Sequence, residues 1–277
     1  MSVLAAVAII VALALSTVMF AAWQIALRTG RSGWIDAIWS FGVGAAGVVS
    51  SLVLGDGIST RQVVVAFMVA VWSLRLGLHI AVRASHSADD PRYAQLRRDW
   101  GPAFPSRLFW FLQVQAVVAF VFASAVFLAA HRASPELDVR DYLGGLILLV
   151  AIMGEALADR QLSDFRKDPN NKGKICTSGL WRFSRHPNYF FEWLAWTSYV
   201  VVAIDMSGQY PQGWAAIAAP VLMYWLLVHV SGIPPLEAHM IRSRGERFRE
   251  YQHQTNAFWP TLPRPSSIGQ SPGGRSL

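Results

Sequence analysis

Apolar residues fill this chain in long blocks separated by short polar stretches. Runs long enough to cross a hydrocarbon core of about 30 Å, which takes roughly 17–25 helical residues, lie at about 3–27, 34–54, 62–83, 108–130, 142–158, 189–206 and 213–231. The pattern predicts an all-α integral membrane fold, a bundle of seven transmembrane helices with cytoplasmic loops and a C-terminal amphipathic segment. One domain is expected over residues 1–262. From Pro263 the chain reads PRPSSIGQSPGGRSL, a Pro/Ser/Gly composition that predicts a disordered tail over 263–277. The first block has no Lys or Arg ahead of it and is longer than a signal-peptide core, so it reads as the first membrane helix.

Composition agrees with the blocks. Of the 277 residues, 53% are hydrophobic and 15% charged, and the mean hydropathy is +0.34, too apolar for a soluble domain of this length. The formal charge of +7 has a topological use. Connections 28–33, 84–107, 158–187 and 232–277 hold two, four, seven and six Lys or Arg, 19 in all, whereas the opposite side holds three. Basic loops stay in the cytoplasm, which predicts an external N-terminus and a cytoplasmic C-terminus. No basic run interleaved with aromatics, and no nucleic-acid module, points to nucleic acid as a partner. The single cysteine, Cys176, excludes an internal disulfide.

Ionisable side chains at membrane depth are costly, so each calls for a partner or a role. Asp36, Arg75, Glu155, Glu192 and Asp205 are the candidates. Asp36 and Trp39 share a helical face, as do Trp72, Arg75, His79 and Arg83, and such stripes line cavities or hold helices together. Glu155, Asp159, Leu162 and Arg166 share another face, where an acid suits a ribose or an arginine and an arginine suits a phosphate. The densest group is NKGKICTSGLWRFSRHPNYFFEW, residues 171–193, where Lys172, Lys174, Arg182 and Arg185 precede an apolar helix. Four cations suit a polyphosphate, and Asn188 and Glu192, four apart, project together from a helix start where free N–H groups also favour anions. Juxtamembrane charge meeting lipid headgroups needs cations alone, without the amide and the acid at fixed offsets. Residues 231–260 read as an amphipathic, interfacial segment. No metal-ligand pattern stands out.

Ser184-Arg185-His186-Pro187-Asn188-Tyr189 with Glu192, then Ser231-Gly232-Ile233-Pro234 with Glu237, Tyr251 and Pro260, resembles the bacterial DUF1295 membrane proteins. These belong with the steroid 5-alpha-reductases (the 3-oxo-5-alpha-steroid 4-dehydrogenase superfamily) and, more distantly, with sterol C14-reductases and isoprenylcysteine methyltransferases. Asp89-Asp90-Pro91-Arg92-Tyr93, with Arg97, Trp100 and Gly101, fits the same pattern over roughly residues 34–260. The resemblance implies seven helices, NADPH taken from the cytoplasmic side, and reduction of a carbon–carbon double bond conjugated to a ketone. It implies a bacterial-type inner membrane location. Asp159, Arg166, Asn188 and Glu192 look like cofactor ligands, joined by Arg75, Arg92, Tyr93, His186, Tyr189 and Glu237. Glu237 departs from the histidine-rich stretch of the animal enzymes. Those enzymes polarise the ketone with a glutamate on the second helix and a tyrosine on the third, where this chain offers Asp36 and Trp72.

Hydride transfer needs the nicotinamide held dry against the acceptor, with a donor at the carbonyl. The expected arrangement puts the cofactor's adenine and phosphates on Arg92, Arg166, Lys172, Lys174 and Arg185, and its nicotinamide near Asn188 and Glu192. Asp36, Trp39, Trp72 and Arg75 line a pocket for a steroid-like, lipophilic enone, with Asp36 as donor if burial raises its pKa. Asp36, Trp72 and Glu192 are thus the expected catalytic residues. A monomer embedded in membrane lipid is expected. The alternative is an S-adenosylmethionine-dependent methyltransferase, whose relatives show two adjacent glutamates where this chain has Leu236-Glu237.

Overall fold

The computed structural model describes residues 2–53, 57–86, 90–133 and 136–264, so nearly all of the expected disordered tail lies outside the described residues. The described chain is helical: α1 (Val3–Thr29), α2 (Ile35–Leu52), α3 (Thr60–His86), α4 (Pro91–Trp100), α5 (Phe104–Ala130), α6 (Val139–Lys167), α7 (Pro187–Ala203), α8 (Ala218–Trp225), α9 (Ile233–Arg244) and α10 (Glu246–Gln254). Among the described residues, six stretches are long and apolar enough to cross a membrane: α1, α2, α3, Pro91–Ala130, α6 and Pro211–Arg244. They fit an integral membrane protein.

The expected run at 189–206 forms α7, which has only 17 residues, about 25 Å at 1.5 Å per residue. It ends because Asp205 draws the next turn onto itself, accepting from the backbone N–H of Ser207 at 3.2 Å and of Gln209 at 3.1 Å. The run expected at 213–231 is not one α-helix. It starts as a 3₁₀ stretch, Pro211–Ile217, continues as α8 and ends in a π-helical turn, Leu226–Val230, closed by the Ser231 N–H on the Leu226 carbonyl at 2.8 Å. Conversely α6 runs nine residues past its expected end, its polar last turns carrying the exposed pair Arg160–Asp164.

The chain divides into two compact units, Met1–Leu148 with Ala195–Leu222, and Leu149–Leu194 with Met223–Leu277. In the first, α2 packs closely on α3 because its inner face is Ser40, Gly44, Gly47, Ser50 and Ser51. A Cβ on Gly44 would stand 2.1 Å from Ser73 Oγ, and the Ser73 hydroxyl donates to the Ser40 carbonyl at 3.0 Å. Small residues thus bring two backbones together without a hydrophobic drive between helices. Behind them lies an aromatic core, with Trp196 stacked on Phe122 (4.2 Å) and edge-on to Trp72 (4.8 Å).

One end of this unit is closed by buried charge. Arg61 grips Asp141 through Nε (2.8 Å) and Nη2 (3.0 Å), and Arg132 reaches the same carboxylate at 2.8 Å. Asp138 binds Arg132 at 2.8 Å and Arg140 at 2.7 Å, and these two guanidinium groups hold its carboxyl well below the usual carboxylate range. The network ties the start of α3 and the end of α5 to the start of α6.

In the second unit the connection after α6 folds back on that helix. Gly179, at φ +60°, lies against the Gln161 side chain, whose Oε1 accepts from Leu180 N–H at 2.9 Å, while Trp181 Nε1 donates to the Ala158 carbonyl at 3.0 Å. The C-terminal segment is stitched to the same connection: Arg185 N–H donates to Asn256 O and Thr261 N–H to Phe183 O, both at 2.9 Å.

Candidate functional site

The centre of the second unit is Glu237, whose helix start is set by Pro234 and Pro235. Its Oε1 accepts from Arg185 Nε at 2.8 Å and from His186 Nε2 at 2.9 Å; its Oε2 accepts from Arg185 Nη2 at 3.1 Å and from Gln252 Nε2 at 2.6 Å. Arg185 Nη1 donates onward to the carbonyls of Gln252 (3.2 Å) and Thr255. Burial holds the His186 imidazole below its ordinary pKa, against the pull of Glu237. The Tyr251 hydroxyl donates to the Trp181 carbonyl, and burial pushes that phenol above its usual range.

These contacts correct one expectation. Arg185 is not left free for a phosphate, because its guanidinium is spent on Glu237 and on two backbone carbonyls. Glu237 and His186 are likewise parts of this latch.

α7 starts beside it at Pro187, after the Ser184 hydroxyl has accepted from His186 N–H at 3.1 Å. Asn188 stands in the first turn, and its Oδ1 is buried with no hydrogen-bond partner among the described residues. Glu192, one turn on, is 8% exposed, and the Tyr189 ring stacks on His186 at 5.5 Å. An orphaned buried amide oxygen favours a donor from a ligand. Along α6, Asp159 is half-buried and Arg166 exposed. Lys174 lies on the rim of an open cavity of about 430 Å³ between Lys174–Thr177 and the Arg247, Glu250, Tyr251 and Gln254 face of α10.

The remaining expected residues belong to the first unit. Asp36 accepts from Arg92 Nη2 and, at 3.0 Å, from the Tyr93 hydroxyl. Arg92 is also bound to Asp90 through Nε and Nη2, both at 3.0 Å. Both Asp36 oxygens therefore act as acceptors, which reverses the donor role expected of it; the donor in this cluster is Tyr93. Arg92, held between two carboxylates, is not a free phosphate ligand. Trp39 Nε1 donates to the Gln115 carbonyl at 3.0 Å, and the Gln115 amide reaches Tyr93 at 3.4 Å. Trp72 is fully buried in the aromatic core, and Arg75 is half-buried. Gln115 and Gln252 complete these clusters and escape a reading by sequence; Gln115 shares the apolar run 108–130 with a second amide, Gln113.

The chain belongs to the DUF1295 family, described as a protein family of unknown function, whose model matches residues 22–255. It is similar to an uncharacterized protein of Schizosaccharomyces pombe, 23% identical over 275 residues that cover 87% of this chain and 76% of the relative. A shorter match, 38% identical over 63 residues and 22% of each chain, joins it to the probable O-methyltransferase ustE of Ustilaginoidea virens. No solved structure matches it.

Proposed function

We propose that this DUF1295 protein is a membrane reductase that uses NADPH to saturate a carbon–carbon double bond conjugated to a ketone in a steroid-like, lipophilic substrate. The observation that carries the reading is the orphaned Asn188 Oδ1, which suits the N–H of a nicotinamide carboxamide, with the buried Glu192 one turn further on. NADPH, when bound, supplies the hydride taken up at the carbon distal to the ketone, and a proton completes the neighbouring carbon. The chain's part is to fix the carboxamide at Asn188 and Glu192. We assign the other cofactor contacts to Asp159, Arg166 and Lys174.

The topology belongs to the same reading. α7 counts as a short seventh span, of about 25 Å against a core of about 30 Å, with the N-terminus outside and the basic connections in the cytoplasm. A methyltransferase using S-adenosylmethionine is the second reading, favoured by the local match to the probable O-methyltransferase; the sulfonium cofactor's ammonium would also suit Asn188 Oδ1.

The test is turnover by the detergent-solubilised full chain with a 3-keto-4-ene steroid, NADPH and S-adenosylmethionine, with products weighed by mass spectrometry. A product heavier by two hydrogens, lost in Glu192→Gln, is the expected result. Gain of a methyl group would replace this reading with the second.

A further inference from the structure

With respect to a phosphate, the chain's arginines and lysines include two classes. Arg185 and Arg92 are consumed by carboxylates within the protein. Lys174 and Arg247 are not: both are exposed, and neither makes an ion pair or side-chain hydrogen bond among the described residues. They come from elements about 70 residues apart in sequence, yet line the same cavity of about 430 Å³. Two like charges brought to one rim repel each other, and a bound anion relieves that repulsion.

The rest of the lining narrows the anion. Ile175 and Tyr251 give an apolar, aromatic wall suited to a flat ring, and the Tyr251 hydroxyl is already committed to the Trp181 carbonyl. Among the described residues Glu250 is engaged only by Gln254, at 3.3 Å, and it can accept from a sugar hydroxyl. A ring wall, a sugar acceptor and two free cations together suit a phosphorylated adenosine better than a bare inorganic ion.

We infer that Lys174 and Arg247 bind a phosphomonoester in this cavity, the 2′-phosphate of the adenosine half of NADPH, and thereby set the preference for NADPH over NADH. The inference rests on the reductase reading, and it adds Arg247, which the sequence does not single out, as a specificity residue. The same phosphate chemistry could be presented by a phosphatidate headgroup, and the experiment separates the two sources.

Purified full-length protein in detergent is titrated calorimetrically with 2′,5′-ADP, 5′-AMP and a short-chain phosphatidic acid, alongside the Lys174→Ala/Arg247→Ala double variant. Wild type is expected to bind 2′,5′-ADP about 10–100-fold more tightly than 5′-AMP, the range for two charge-assisted contacts, and the variant to bind the two equally. The variant should keep the wild-type melting temperature, since neither side chain has a partner to lose among the described residues. A 2′-phosphate preference that survives in the variant overturns the inference. So does a variant that loses only phosphatidic acid binding. If NADPH and NADH are bound and used equally, the inference falls while the reductase reading stands; if no adenine nucleotide binds, both fall.

Discussion

Asp141→Ala is expected to destabilise the protein by about 3–5 kcal/mol, the range for removing one partner of a buried ion pair. The Asp141 side chain is 2% exposed and bridges Arg61 (3%) and Arg132 (1%). Its loss leaves two guanidinium groups in a desolvated place, while Asp138 is already bound to Arg132 and Arg140. The Asp138 backbone N–H, which donates to Asp141 Oδ2 at 2.8 Å, also loses its acceptor. Thermal unfolding in detergent should place the variant far below wild type, whereas Asp164→Ala, which breaks an exposed pair with Arg160, should move it little. Equal shifts in the two variants would mean that the buried network does not hold α3, α5 and α6 together.

The second large effect is expected at Glu237. Replacement by alanine deprives Arg185, His186 and Gln252 of their shared acceptor, in side chains only about a tenth exposed at Arg185 and 5% at His186. A cost of about 3–5 kcal/mol follows from the stranded Arg185 charge. The C-terminal segment should loosen first, because Arg185 also holds the Gln252 and Thr255 carbonyls, so limited proteolysis should cut between α9 and residue 261 in the variant alone. Glu237→Gln keeps one acceptor oxygen and should cost less. Arg185→Ala distinguishes a latch from a phosphate ligand: a latch lowers the melting temperature, whereas loss of a phosphate ligand weakens NADPH binding and leaves stability unchanged.

The apolar blocks were enough to locate α1, α2, α3 and α5 to within a few residues, since hydrocarbon thickness sets both length and composition there. They failed where local geometry overrides hydropathy. Asp205 ends α7 early, and the π-helical turn at Leu226–Val230 breaks a run that reads as uniformly apolar. Partners were the larger gap. Arg61 meets Asp141 across 80 positions and Arg185 meets Glu237 across 52, distances that no periodicity encodes. For that reason the cationic cluster at 172–185 reads in the sequence as one phosphate site, although the fold spends Arg185 internally and leaves Lys174 free beside Arg247. Asp36 shows the same limit: its depth and helical face are readable, but only the placement of Tyr93 and Arg92 makes it an acceptor.

The decisive measurement is binding of NADPH to the purified chain. Saturable binding is expected, weakened about tenfold by Asn188→Ala, the worth of one hydrogen bond to a buried group, with no competition from S-adenosylmethionine. Saturable binding of S-adenosylmethionine at the same asparagine, with none of NADPH, would contradict the reductase reading.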